Sequence, residues 1–224
     1  MAGQSGLRYL YLIRYDPDSE PQPRPWPDLV KQRIAWAWNR YCRQIERATW
    51  LPDDTIPYLE PYTGTEIFAE AFGCDVYRPT NDQPSARPLV SSAAQADKLK
   101  VPSLDTPCLK RMFDIADELR RRAGQDAVMR LVDIQSPMDI TSLIWDKNDL
   151  YMALIESPDA VRTLAGKVRQ LLTTFLDEWF GRYGRDFIAH YPDYYMDGGW
   201  TVSEDEVGAV NEELFEKLFL PELN

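Results

Sequence analysis

A handful of polar side chains stand where apolar runs end, and these are the residues equipped for chemistry. Asp133 closes the run Ala127 to Val132, Gln135 and Asp139 follow it closely, and His190, the only histidine, closes DFIA. Asp205 sits in TVSED, and Tyr194 and Tyr195 follow His190 with Asp193 and Asp197 nearby. A carboxylate at the end of a buried strand has its pKa raised by burial and can act as general acid or base. An imidazole carries protons near neutrality. The pattern points to proton transfer by Asp133, His190 and Asp205, with Gln135, Asp139, Tyr194 and Tyr195 holding substrate. Plainer roles stand beside these. Asp133 could bond loop amides, and His190 could be a buried structural histidine. Asp139 stands third from Ser136, where capping accounts for it, and Ser203-Glu204-Asp205-Glu206 has the S-x-x-E spacing of a capping box. The tyrosines could belong to an aromatic surface loop.

No metal site is expected. One histidine cannot build a His-based centre, and Cys42, Cys74 and Cys108 lack chelating spacing. They read as reduced, core-filling thiols. Glu66 and Glu70 share a helix face but have no histidine partner. A Gly-rich phosphate loop and a basic aromatic patch are both missing from the sequence.

The elements that must position these groups follow from hydrophobic period and punctuation. Residues 15–28 are rich in Pro and acidic residues and irregular; Asp28 then opens a helix to about Trp50. Short strands are expected at Ile56 to Glu60 and Asp75 to Tyr77, and short helices at Gly64 to Phe72 and Ala93 to Leu99. Thr106-Pro107 begins a helix that stops at Gly124, with Arg120, Arg121 and Arg122 at the negative end of its dipole. Ala127 to Val132 reads as a strand and Ser136-Pro137 as the start of a helix. Ser157-Pro158 opens the longest helix, striped by Val161, Leu164, Ala165, Val168, Leu171, Leu172, Phe175 and Trp179. Asp186 to His190 is a further strand, Thr201-Val202 a short one, and Asn211 caps a helix to about Phe219. Alternating strands and helices imply an α/β fold with a parallel sheet. The strands number about four or five, too few for a closed barrel, which needs about 250 residues. The expected architecture is therefore a partial (β/α)8 TIM-type barrel with outer helices and a helical N-terminal extension. Residues 1–50 form that extension, and 51–224 the front portion of the barrel.

Composition narrows the partners. The 224 residues carry a net charge of -11, 44% hydrophobic and 27% charged residues. So acidic a chain is no candidate for non-specific nucleic-acid binding. No apolar run is long enough to span a membrane, and the N-terminus reads as mature sequence without a signal peptide. A cytoplasmic protein acting on a small molecule is expected. An open barrel would expose a strand edge, so a homodimer or a complementary chain covering that edge is also expected.

Three stretches, PYTGTEIFAEAFGCDVYRP (61–79), RLVDIQSPMDITSLIWDKNDLYMALIESPDAVRTL (130–164) and FIAHYPDYYMDGGWTVSEDEVGAVNEELFEKLFLPEL (187–223), together resemble the uroporphyrinogen decarboxylase family. The family includes decarboxylases and corrinoid- or zinc-dependent methyltransferase relatives. The resemblance implies a TIM-type barrel with its site at the carboxyl ends of the strands. It also implies decarboxylation of a porphyrinogen-like or other organic acid, a cofactor-free lyase reaction. Methyl transfer is the alternative, its zinc or corrinoid ligands lying in a rear half of the barrel that this sequence does not contain; a non-catalytic barrel fragment is a third reading. The sequence departs from the decarboxylases in its head, YDPDSEPQPRPWP, in having Thr63-Gly64-Thr65-Glu66 where they carry an aspartate, and in having Leu143 where they carry a tyrosine. These departures count against uroporphyrinogen as substrate.

Overall fold

The structure, a computed structural model, describes residues 10–13, 15, 17–61, 64–190 and 194–223. Expectations that fall on residues 1–9, Thr63, Asp193 and Asn224 lie outside the described residues.

The sheet is built in chain order. Strand β1 (Tyr58–Leu59) pairs in parallel with β4 (Val128–Arg130), and β4 in parallel with β5 (Asp186–Ile188). The antiparallel β6 (Tyr195–Asp197) completes one edge, so the sheet is open and its order is β1-β4-β5-β6. The strand expected at Thr201-Val202 is absent; the chain there makes a single parallel bridge, Gln135 to Ser203. The strand expected at residues 75–77 forms, but as β2 (Val76–Tyr77) in a separate hairpin with β3 (Ser85–Ala86).

Outer helices separate the strands. They are α1 (Val30–Ala48), α2 (Ile67–Ala71), α3 (Ala93–Lys98), α4 (Pro107–Ala123), α5 (Pro137–Ile144), α6 (Lys147–Glu156) and α7 (Pro158–Tyr183). The last helical stretch, Glu212 to Leu223, contains one π-helical turn. Helices α4 and α7 stop at Gly124 (φ 92°) and Gly184 (φ 89°), where only glycine takes a positive φ without strain.

Side chains alternate across the sheet. Leu59, Met129, Phe187 and Ala189 enter one core with the apolar stripe of α7. Phe175, fully buried, is its centre: its ring lies 5.2 Å from Phe68, 5.3 Å from Phe113 and 5.5 Å from Trp179. The opposite face carries Tyr58, Arg130 and Ile188 and meets α1. Gln44 of α1 accepts from the Tyr58 amide at 2.8 Å, so a side chain satisfies the outer edge of β1.

Arg120 shows what the arginine run at the end of α4 does. Its guanidinium, 6% exposed, donates to the carbonyls of Gln125 (2.5 Å), Ala127 (2.6 Å) and Tyr183 (2.8 Å). It ties the ends of α4 and α7 to the start of β4. Arg121 and Arg122 pair with Glu118 at the surface.

Candidate functional site

Parallel strands in an α/β fold present their carboxyl ends as a common rim. Here β4 runs on beyond Arg130, held by Leu131 N to the Ile188 carbonyl (2.9 Å), and ends in Asp133 and Gln135. Strand β5 runs on to His190. The two ends meet: His190 Nε2 lies 3.9 Å from the Asp133 carboxylate. Arg130 donates to the His190 carbonyl and pairs with Glu60 at 3.1 Å, joining the rims of β1, β4 and β5.

A second set of groups docks against this pair. Ser136 caps α5, its hydroxyl accepting from the amides of Met138 (3.1 Å) and Asp139 (2.9 Å). The turn at residues 203–206 then closes over that cap. Ser136 N donates to the Ser203 carbonyl (2.8 Å), and Ser203 N to the Ile134 carbonyl (3.2 Å). The buried Asp139 carboxylate accepts from the amides of Asp205 (2.8 Å) and Glu206 (3.1 Å). Glu204 accepts from the Ser136 hydroxyl and from Glu206 N (3.2 Å) and is hydrogen-bonded to Asp139. Two carboxyl groups can bond each other only if one holds a proton.

The expected Ser203–Glu206 capping box does not form. No side chain caps the 3-10 turn Glu206–Ala209. Glu206 instead receives bonds from Ser142 (3.0 Å), Lys147 (2.7 Å) and Tyr151, which fasten the turn to α5 and α6. Asp139 is likewise no simple N-terminal cap, because its acceptors serve the distant 203–206 turn. The tertiary contact supplies better-placed donors than the local helix start does.

The electrostatics follow from burial and crowding. Burial pushes the Asp133 carboxyl above its ordinary value, and the Asp205 and Asp139 carboxylates add to this against the pull of His190 and Arg130. Burial also raises Asp139, although the amides of Asp205 and Glu206 and the bond to Glu204 oppose it. Glu204 is pushed up to about 7 by burial, with its bond to Asp139 and that group's charge acting in the same direction. Burial acts on Glu206 too, but Lys147, Tyr151 and Ser142 outweigh it and hold this group below the usual carboxylate range. The site therefore sets carboxyls that burial pushes towards the protonated form beside one, Glu206, that its donors hold towards the ionised form, an arrangement suited to proton transfer.

Of the residues singled out from sequence, Asp133, His190, Asp139 and Asp205 converge here. Gln135 lies in the same segment, buried, with its Oε1 accepting no hydrogen bond. Tyr194 and Tyr195 are about half exposed, and Tyr195 lines a cavity beside Ile188 and Tyr58 rather than the acid cluster. Sequence reasoning passed over Glu204, Glu60 and Arg130. The signal for Glu204 was its place beside Asp205; nothing local marks Glu60 and Arg130, which are brought together by strand pairing.

Among the described residues, no three His, Cys, Asp or Glu side chains are grouped to hold a metal ion. Cys74 and Cys108 are buried, and burial raises both thiols. Among the described residues, no helix is long and apolar enough to cross a membrane.

With this geometry in hand, comparisons place the chain in a class. It belongs to the uroporphyrinogen decarboxylase family: residues 62–191, more than half of the chain, match the family described as uroporphyrinogen decarboxylase (URO-D). Among solved structures it is similar to a methyltransferase from Methanosarcina mazei, with a TM-score of 0.64 and 15% identity over 89% of this chain and 54% of that one. The chain thus spans about half the length of that methyltransferase, and the likeness shows the fold. A comparison with curated proteins finds no match.

Proposed function

We propose that this chain supplies the acid–base half of an enzyme site that decarboxylates an organic acid. Asp133 and His190 handle the proton, and Asp205 and Gln135 orient the substrate. The observation that carries this reading is the 3.9 Å approach of His190 to Asp133, from the ends of neighbouring parallel strands. In the reaction the bond from the substrate carbon to its carboxylate breaks, carbon dioxide leaves, and the carbon takes a proton from the Asp133–His190 pair. Water then restores that proton. Burial shifts Asp133 towards its protonated form, the direction a proton donor needs. Methyl transfer is the second reading, supported by the likeness to the methyltransferase from Methanosarcina mazei; no step of it is assigned to Asp133, His190 or their neighbours. The small-molecule substrate, and a second copy or complementary chain over the open edge, belong to the same proposal.

Carbon dioxide release from carboxyl-labelled organic acids, uroporphyrinogen among them, tests it. Asp133→Asn and His190→Gln should each lower the rate by about 10²- to 10⁴-fold, the range for a lost general acid or base, with melting nearly unchanged. Undiminished turnover in either variant would remove that residue from the mechanism.

A further inference from the structure

A cavity of about 670 Å³ lies on the sheet face turned away from the main core, and none of the proton-handling groups lines it. Three elements and the segment 54–56 wall it. The strands contribute Tyr58, Ile188 and Tyr195; α1 contributes Arg40, Gln44 and Arg47; the N-terminal strap contributes Leu10, Leu12 and Ile13. The helical contribution recurs at i, i+4 and i+7, which is one face of α1.

The strap is fastened in place. Tyr11 N donates to Asp54 (2.8 Å), Asp54 N to the Tyr11 carbonyl (2.9 Å), and Ile13 N to Asp53 (2.9 Å). Arg47 donates to the carbonyls of Ile13 (3.2 Å) and Tyr15 (3.4 Å), and the Tyr15 ring meets Trp50 edge-on at 5.9 Å. The strap's apolar side chains are thus held against the cavity, although Leu10 and Ile13 remain 57% and 44% exposed.

The polar lining consists mainly of donors. Gln44 is 8% exposed and has its Oε1 occupied by the Tyr58 amide, so its NH2 is the group it offers. The Tyr58 hydroxyl accepts from Arg40 (2.8 Å) and keeps its own proton to donate. Arg47 adds a guanidinium. The lining carboxylate, Asp54, is taken by Tyr11 N. This is the reverse of the acid cluster at the strand ends, where acceptors crowd together. The volume is that of a pocket for a small organic molecule, roughly 300–1,000 Å³.

We propose that this cavity is a second binding site, for an amphipathic organic anion: an aromatic or aliphatic body against Leu12, Ile188 and Tyr195, and an acidic group at Gln44, Tyr58 and Arg47. The site stands apart from the decarboxylation chemistry. The two are linked structurally, since Arg40 pairs with Glu60, Glu60 with Arg130, and Arg130 holds the His190 carbonyl.

The probe is 8-anilinonaphthalene-1-sulfonate, an aromatic anion, titrated by fluorescence against the intact chain with its mass followed by light scattering. One saturable site per monomer is expected, with the uncharged N-phenyl-1-naphthylamine binding about tenfold more weakly or worse. Leu12→Asp and, separately, Tyr195→Ala change partly exposed wall residues and leave the strap's hydrogen bonds in place. Each should weaken the sulfonate about tenfold while the melting temperature holds. The proposal fails if binding does not saturate, if the uncharged analogue binds equally well, or if neither variant weakens the sulfonate. It also fails if the chain is a dimer that Leu12→Asp dissociates, since a second copy would then be the occupant.

Discussion

Glu204→Gln isolates the proton that the Glu204–Asp139 pair shares. In the folded chain the Glu204 carboxyl is pushed from 4.5 to about 7. The unfolded chain ionises it near the ordinary value. Below that value both states hold the proton and its stabilising effect is complete. As pH rises towards 7 the unfolded state gives up its proton first, and stability falls; above the folded pKa the contribution is gone. The full shift would correspond to about 3 kcal/mol at roughly 1.4 kcal/mol per pKa unit. Glu204 is partly exposed, so solvent screening reduces this to about 1–2 kcal/mol. For a chain of this size that is a decline of about 2–8 °C in melting temperature between about pH 4.5 and about pH 8. The glutamine keeps an oxygen for Ser136 and offers an NH2 to Asp139, and Glu206 N retains its bond to Asp139 at 3.1 Å. The variant should therefore melt with this part of the slope removed. Melting followed by circular dichroism across that range, wild type against variant, gives the comparison. Burial raises Asp133 and Asp139 as well, so only the difference between the two slopes is diagnostic. Parallel slopes would refute the shared proton.

Other outcomes are equally specific. Phe175→Ala should cost about 3–5 kcal/mol in chemical denaturation, because the lost ring leaves a cavity among Phe68, Phe113 and Trp179; a loss under about 1 kcal/mol would mean that the core collapses to fill it. Arg120→Met should destabilise by about 3 kcal/mol or more, since buried carbonyls of Gln125, Ala127 and Tyr183 lose a charged donor. A neutral effect would show that water replaces the guanidinium. Asp53 is held below its ordinary value because its bonds to Thr55 and to the amides of Ile13 and Thr55 outweigh the effect of burial. Its hold on the strap is present above the ordinary carboxylate value and should be lost as pH falls through the lowered one. Ile13 amide exchange, corrected for its intrinsic pH dependence, should lose protection on acidification and, at neutral pH, in Asp53→Ala. Unchanged protection in both would detach Asp53 from the strap.

The sequence alone set most of the helices, because their signals are local, but not α6, and Asp28 does not cap α1. The stripe of α7, the Ser136 hydroxyl at the start of α5 and the glycines after α4 and α7 act within a few residues. It also marked the strand ends, so Asp133, His190, Asp139 and Asp205 were legible as candidates. What it could not carry was the partner of each. A capping spacing at Ser203–Glu206 is a local pattern, and the folded chain overrode it: Asp139, far away in sequence, offered the turn a buried carboxylate with two amide contacts. The antiparallel edge strand β6 was equally invisible, since Tyr195 to Asp197 has no alternating pattern and forms only because β5 leaves an edge to pair. Glu60, Arg40 and Arg130 are three unrelated positions until β1, β4 and α1 meet. Residue types and spacing thus determine which groups reach the ends of the strands. Strand pairing and burial decide which of them face one another, because charge and hydrogen-bond energies depend on distances that only the packed chain sets.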